Sequence, residues 1–338
     1  MWDLHSVLSL AWAGLLAFGV LAYVVLDGFD LGTGILFLIE RDREDRDVMV
    51  NSIAPVWDGN ETWLVFGGAG LYAMFPLAYS VVLPALYPLI VAMLVGLILR
   101  GVSFEFRFRA TGSGQFWWDV AFCGGSLVAA FAQGLVLGGL LQGIHVENDV
   151  YAGGWWDWLT PFSVLCGVAV VIGYALLGAC WLIWRTEGAL QERSRVHAGR
   201  LAAATLALIV VVSLATPFLY PQYARRWFSW PGILLTSPVP VLVAAFGLLF
   251  RHGLRQKHHW TPLLCAELWF VLCFAGLGIS FYPLMVPPSI TIYQAASPVL
   301  SQVFLLAGAV VIVPVILAYN AYAYWIFRGK VKPGMHYH

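Results

Sequence analysis

Nine apolar runs alternate with short polar stretches along the chain, and each reads as one helix. They fall near residues 7–38, 60–79, 82–99, 119–141, 160–184, 201–219, 233–250, 262–283 and 303–327. Several are long enough to cross a hydrocarbon core of roughly 30 Å. The first run is too long for one perpendicular crossing, so it is expected to tilt or to project beyond the bilayer. It lacks a basic flank and outlasts a cleavable apolar region, so it reads as a span rather than a leader. No linker is long enough to separate soluble domains, and no internal repeat stands out. The expected architecture is an all-α integral membrane protein, a single membrane domain over residues 1–338 with nine transmembrane helices.

Composition supports that reading. Charged residues make up 11% of the chain and hydrophobic residues 61%, with a mean hydropathy of +0.81. A soluble domain carries about 25% charge. With nine spans, sixteen of the eighteen Lys and Arg residues fall on one side, only Arg225 and Arg226 lying on the other. The positive-inside rule then puts the N-terminus outside and the C-terminus in the cytoplasm. Trp117 and Trp118 fall at the inner interface, and Trp155, Trp156, Trp158, Trp227 and Trp230 at the outer one, as an aromatic belt requires. Net charge is zero and no basic-aromatic patch is present, which argues against nucleic acid as a partner.

Histidines and cysteines bound the redox chemistry. A haem held within the membrane usually needs axial His or Met side chains at depth. His5, His145, His197, His252, His258, His259, His336 and His338 all fall in tails, loops or helix ends. Met74 and Met93 are deep, but a Met at helical spacing fits packing better than ligation. Cys123, Cys166, Cys180, Cys265 and Cys273 lie in apolar runs with no Cys-x-x-Cys pair, and read as small hydrophobes. No cofactor or metal centre is expected in this chain. The glycine run 67–70 lies inside a span, where small residues let helices approach closely.

Ionisable groups at membrane depth are costly, and therefore informative. Asp27 and Asp30 stand three apart on one helix face, and Gly28, Gly32 and Gly34 keep that stretch slim. Trp57-Asp58-Gly59-Asn60-Glu61 opens the second span from the same side, after Pro55. The two acidic clusters can therefore meet at similar depth. One reading is a proton-conducting cavity whose carboxylates relay protons along waters. The other, for Asp58, is helix-start chemistry, in which a carboxylate satisfies free amides and suits the dipole. Arg100 either pairs with one of these carboxylates or closes the third helix as a cation at its negative pole, and Glu105 either joins it or pairs with a flanking arginine. Glu267, in the first turns of the eighth helix, reads as structural.

The runs Asp27-Gly-Phe-Asp-Leu-Gly32 and Asn51-Ser-Ile-Ala-Pro-Val-Trp-Asp-Gly-Asn-Glu-Thr-Trp63 resemble those of subunit II of cytochrome bd-type quinol oxidases. So do Phe75-Pro-Leu-Ala-Tyr79 and Arg100-Gly-Val-Ser-Phe-Glu-Phe-Arg107, with looser likeness through Phe281-Tyr-Pro283 and Pro288-Ser289. The short chain and the Glu-Thr after Asn60 look more like the cyanide-insensitive subgroup. The resemblance implies two four-helix bundles, helices one to four over about 7–141 and five to eight over about 160–283, plus a peripheral ninth helix at about 303–327. It implies a heterodimer with a homologous subunit I that holds two haems b and one haem d, leaves room for a small single-helix accessory subunit, and has quinol and lipid as further partners.

The activity so implied is oxidation of quinol near the outer face of the bacterial cytoplasmic membrane and reduction of dioxygen to water. It would be electrogenic without pumping, with no redox centre in this chain. A proton route from the cytoplasm would begin here, involving the Asp27–Asp30 cluster, Asp58 and Glu61, with Trp57, Asn60, Arg100 and Glu105 in support. The motif does not decide between Asp27 and Asp30. Trp63 would lie near the lipid-side entrance of an oxygen channel. Two other functions fit the residues alone: a stand-alone proton-coupled transporter, and a purely structural scaffold for a haem subunit. The odd helix count and the lack of inverted repeats weigh against the transporter.

Overall fold

The computed structural model describes residues 3–332 and 334, so His336 and His338 lie outside the described residues. Helices carry the fold, because backbone polar groups in lipid must be satisfied within the segment itself. In order they are α1 (Leu4–Leu36), α2 (Arg43–Ile53), α3 (Trp57–Met74), α4 (Pro76–Phe106) and α5 (Ser113–Leu141). After a short hairpin of β1 (Val146–Glu147) and β2 (Val150–Tyr151) come α6 (Pro161–Arg185) and α7 (Gly188–Ala215). Then follow α8 (Pro221–Phe228), α9 (Ile233–Thr236), α10 (Pro238–Arg255) and α11 (Thr261–Phe281). A second hairpin, β3 (Leu284–Val286) with β4 (Ile290–Thr291), leads through α12 (Ile292–Ala295) to α13 (Val299–Ile326).

Among the described residues, eight helical segments are long and apolar enough to cross a membrane. The expected span near 60–79 is absent from that set. Its counterpart, α3, opens with Asp58, Asn60 and Glu61, which dilute the apolar content of its 18 residues. The break between the expected second and third helices is also displaced. It falls at Phe75, not near residue 80, because Pro76 takes the first position of α4, where a missing N–H costs nothing. Unbroken hydrophobicity across residues 71–79 hides that turn from the hydropathy pattern. The polar stretch after α1 is not all loop either. Asp42 caps α2 by accepting from the amides of Glu44 and Asp45, and these two acids occupy its first turn.

Two glycine contacts set the position of α1. At Gly32 and Gly178 the backbones of α1 and α6 touch, and a Cβ on Gly32 would run into the Tyr174 carbonyl. At Gly34 a Cβ would strike the Ser126 side chain of α5. Helix α1 therefore lies in the groove between α5 and α6, while α3 and α13 cover its other side. A buried apolar cluster including Phe29, Val50, Phe104, Phe122, Leu176 and Trp181 fills the half of the molecule where most of the arginines gather, the basic end.

A buried carboxylate–guanidinium cluster at the basic end

Asp27 and Asp30 sit in the last turns of α1, fully buried, on the face turned toward α3 and α4. Arg100 comes from α4, one and a half turns before its end, and is also fully buried. Its Nη1 donates to Asp27 Oδ1 at 2.9 Å and to Glu61 Oε1 of α3 at 3.3 Å. Its Nη2 lies 3.8 Å from Asp30 Oδ2. One guanidinium thus faces three carboxylates. The side chains of Arg100, Asp27 and Asp30 are 0% exposed, and that of Glu61 is 24% exposed.

Neutral groups complete the setting. Asn60 Nδ2 donates to Asp30 Oδ2 at 2.6 Å and to the Leu26 carbonyl at 3.2 Å. The Tyr324 hydroxyl of α13 donates to Asn60 Oδ1 at 2.9 Å, which orients the amide toward Asp30. Tyr324 is itself held edge-on against Phe29 and Trp181. Phe104 lies under the Arg100 guanidinium, 5.8 Å to the ring centroid, and Trp57 stacks on its ring at 4.6 Å with an 8° interplanar angle. Trp57 therefore braces the helix that carries Arg100. Asp27 Oδ2, Asp30 Oδ1 and the Nε and Nη2 of Arg100 are buried and have no hydrogen-bond partner among the described residues. A buried polar group in that condition ordinarily binds internal water.

The expected site residues divide accordingly. Asp27, Asp30, Asn60, Glu61 and Arg100 converge, and Trp57 props them. Asp58 does not join them. It lies exposed in the first turn of α3, where Val56 is the cap residue and no side chain caps. It shares a helix face with Glu61, three residues on. Glu105 lies apart from the cluster: it is 54% exposed and pairs with Arg109 at 3.5 Å, one turn further on. Trp63 is fully buried, with Phe18 and Phe66 edge-on to it at 5.5 and 6.1 Å. Glu267 is half-buried in α11, outside this cluster. Among the described residues no group of three or more His, Cys, Asp and Glu side chains is placed to hold a metal ion.

A second ionic cluster lies nearer the basic surface, and sequence reasoning missed it. Arg107 donates to Asp119 at 2.5 Å and to Asp47 at 2.6 Å, and Arg46 donates to Asp119 at 2.9 Å. Arg46 also donates to the carbonyls of Glu40 and Phe37, which ties α2 to the end of α1. Arg193 of α7 reaches Glu40 and Asp45. Two arginines against two aspartates at the centre of this cluster are balanced in charge, as a structural clamp should be.

The family model described as "Cytochrome bd terminal oxidase subunit II" matches residues 8–327. The chain belongs to this family. Membership in the cytochrome bd subunit II family agrees with several relatives aligned nearly end to end. "Cytochrome bd-I ubiquinol oxidase subunit 2" of Escherichia coli (strain K12) is 29% identical over 97% of this chain and 96% of its own length. "Cytochrome bd ubiquinol oxidase subunit 2" of Bacillus subtilis (strain 168) is 27% identical over 98% of each. The fold matches a chain in the structure of bd oxidase from Geobacillus thermodenitrificans, with a TM-score of 0.74 at 18% identity over 95% of this chain and 98% of that one. Subunits of this family serve the respiratory chain.

Proposed function

We propose that this chain is the proton-delivering subunit of a membrane-bound quinol oxidase, working beside a haem-bearing subunit I that reduces dioxygen to water. One observation carries the reading: a single buried guanidinium faces three carboxylates. Were all three ionised, two negative charges would stand uncompensated in a site nearly sealed from water, which is far costlier than binding protons there. Such a cluster takes up and gives up protons with each member's affinity set by the charge on the others. A pure scaffold has no use for an excess of buried acid.

The geometry supports an order of events. Asp58 is exposed and Glu61 is partly exposed on the same face of α3, so a proton from the basic side would reach Asp58 first and Glu61 next. The Asp27–Asp30–Arg100 group would receive it and pass it, through bound water, toward subunit I. Asn60 and Tyr324 would orient Asp30, and Trp57 would hold Arg100. Trp63, sealed among Phe18, Phe66 and Tyr23, would border the route by which oxygen arrives from the lipid. When bound in the partner subunit, haem would supply the dioxygen chemistry. By the positive-inside rule the basic end faces the cytoplasm of the bacterial inner membrane, with the N-terminus outside. Proton uptake from that side, without pumping, would make turnover electrogenic.

The test is Asp58→Asn in the purified complex, with turnover and haem content measured together. Loss of oxidase turnover at unchanged haem content is expected. Unchanged turnover would remove Asp58 from the route, and haem loss would indicate an assembly role instead. A stand-alone transporter would move protons when purified without a haem-bearing companion, whereas the oxidase reading requires that companion to co-purify.

A further inference from the structure

A chain of neutral polar side chains runs from the cluster into the middle of the helix bundle. The Tyr174 hydroxyl of α6 donates to Gln133 Oε1 of α5 at 2.8 Å, and Gln133 Nε2 donates to the Tyr23 hydroxyl of α1 at 2.8 Å. Tyr23 stands one turn before Asp27 on the same face of α1, and Asp27 Oδ2 is buried there with no hydrogen-bond partner among the described residues. Because Tyr23 already accepts from Gln133, its own proton is free to point at Asp27. Every donor in the chain is thus directed the same way, and each bond polarises the next. Tyr174 and Tyr23 are 1% and 4% exposed, and the Gln133 between them is half-buried.

Two features separate this chain from a conduit. A carboxamide cannot pass a proton from its nitrogen to its oxygen without an imidic tautomer, so Gln133 orients and does not conduct. The chain also ends at Tyr23, one helix turn from the carboxylate that has the closest approach to Arg100, 2.9 Å, against 3.8 Å for Asp30 and 3.3 Å for the partly exposed Glu61. Asp30 receives its short bond from a neutral amide instead. The groups that face Asp27 are Tyr23 and Asp30 on α1, Glu61 on α3, Arg100 on α4, and Tyr174 on α6, with Tyr324 of α13 further off beside Asp30.

We infer that Tyr23, Gln133 and Tyr174 are positioning residues that fix Asp27 as the standing counter-ion of Arg100, so that Asp30 and Glu61 do the proton exchange. This rests on the proton-carrying reading of the cluster and decides which members exchange. The buried guanidinium then keeps a constant partner, and the cluster gains and loses protons without its cation being left bare.

Infrared difference spectra of the intact complex in lipid nanodiscs, recorded between acid and alkaline buffers, test the inference. The protonated-carboxyl C=O bands should diminish in Asp30→Asn and Glu61→Gln and survive in Asp27→Asn, displaced to lower pH because one neighbouring negative charge is gone. Tyr23→Phe should add a carboxyl band, and Asp27→Asn placed on top should remove it. Tyr174→Phe, which trims only the far end of the chain, should add the same band more weakly, and it serves if Tyr23→Phe does not assemble. A wild-type band that vanishes in Asp27→Asn overturns the inference and leaves proton delivery standing. So does a Tyr23→Phe or Tyr174→Phe spectrum identical to wild type. If no carboxyl band responds to any of the three carboxylate substitutions, proton delivery by this cluster falls with it.

Discussion

Arg100→Met removes the one cation from a pocket that keeps three carboxylates, and the structure sets the size and sign of the effect. Breaking a buried ion pair by deleting one partner costs about 3–5 kcal/mol, since the remaining charge stays behind in low dielectric. Asp27→Asn alone is milder. Arg100 keeps Glu61 and Asp30, so the loss is near that of one charged hydrogen bond, about 1.5–3 kcal/mol. The informative variant is the double one. Without Arg100, Asp27 is only a further negative charge beside Asp30 and Glu61, and replacing it should cost nothing or stabilise. Asp27→Asn is therefore expected to change sign between the two backgrounds, a coupling of about 2–3 kcal/mol, at the upper end for contacting residues. Equilibrium unfolding of the purified complex in mixed micelles can follow it through intrinsic fluorescence, given the 16 tryptophans of this chain. Equal costs for Asp27→Asn with and without Arg100 would mean that the two side chains do not share a pocket, and the charge argument would fail.

Two further predictions concern residues around the cluster. Trp63→Phe should change the apparent oxygen affinity and leave the quinol dependence in place; Phe is the substitution of choice because Ala at a fully buried tryptophan would cost about 3–5 kcal/mol and blur the result. An unchanged oxygen dependence would take Trp63 out of the oxygen route. Gly32→Ala should lower the thermal midpoint, by the equivalent of about 1–3 kcal/mol of overpacking, because its Cβ meets the Tyr174 carbonyl, whereas Gly14→Ala on the same helix, with nothing within 4 Å, should be neutral or better.

How much of this was legible beforehand depends on whether a residue announces itself by charge or by company. Asp27 and Asp30 stand out because acids rarely occur in apolar runs, and their spacing alone puts them on one face. Asn60 and Glu61 follow from their place at the start of a span on the same side. For Arg100 and Glu105 the sequence offered two readings each, and each residue took a different one: Arg100 turns inward to Asp27, and Glu105 pairs outward with Arg109. Tyr324, Gln133 and Tyr174 gave no signal, because a neutral polar side chain within an apolar helix leaves the hydrophobic period nearly intact. Tyr324 is also 264 positions from the asparagine it orients. The Arg107–Asp119 clamp stayed hidden for a related reason. Both residues flank a polar turn, where charge is expected to be solvated, and contacts remote in sequence, from Phe37, Arg46 and Asp47, cover them. Asp42 with Glu44 and Asp45 did advertise a helix start, but an 11-residue amphipathic helix between spans is easily read as loop.

The two ionic clusters share only α4, which carries Arg100 and is capped by Arg107, and they differ in their balance of charge. Around Arg107, two guanidiniums meet two aspartates, and Arg46 adds bonds to backbone carbonyls, so the charges balance in one protonation state. Around Arg100, one guanidinium meets three acids, and no single state satisfies every member without bound protons. A balanced cluster resists change in pH and suits a clamp between helices. An unbalanced one must exchange protons whenever its surroundings change, and the partly exposed Glu61, with Asp58 three residues before it, supplies a way out to the basic end. The difference in stoichiometry, more than depth or residue type, separates the group that holds this fold together from the group that can work.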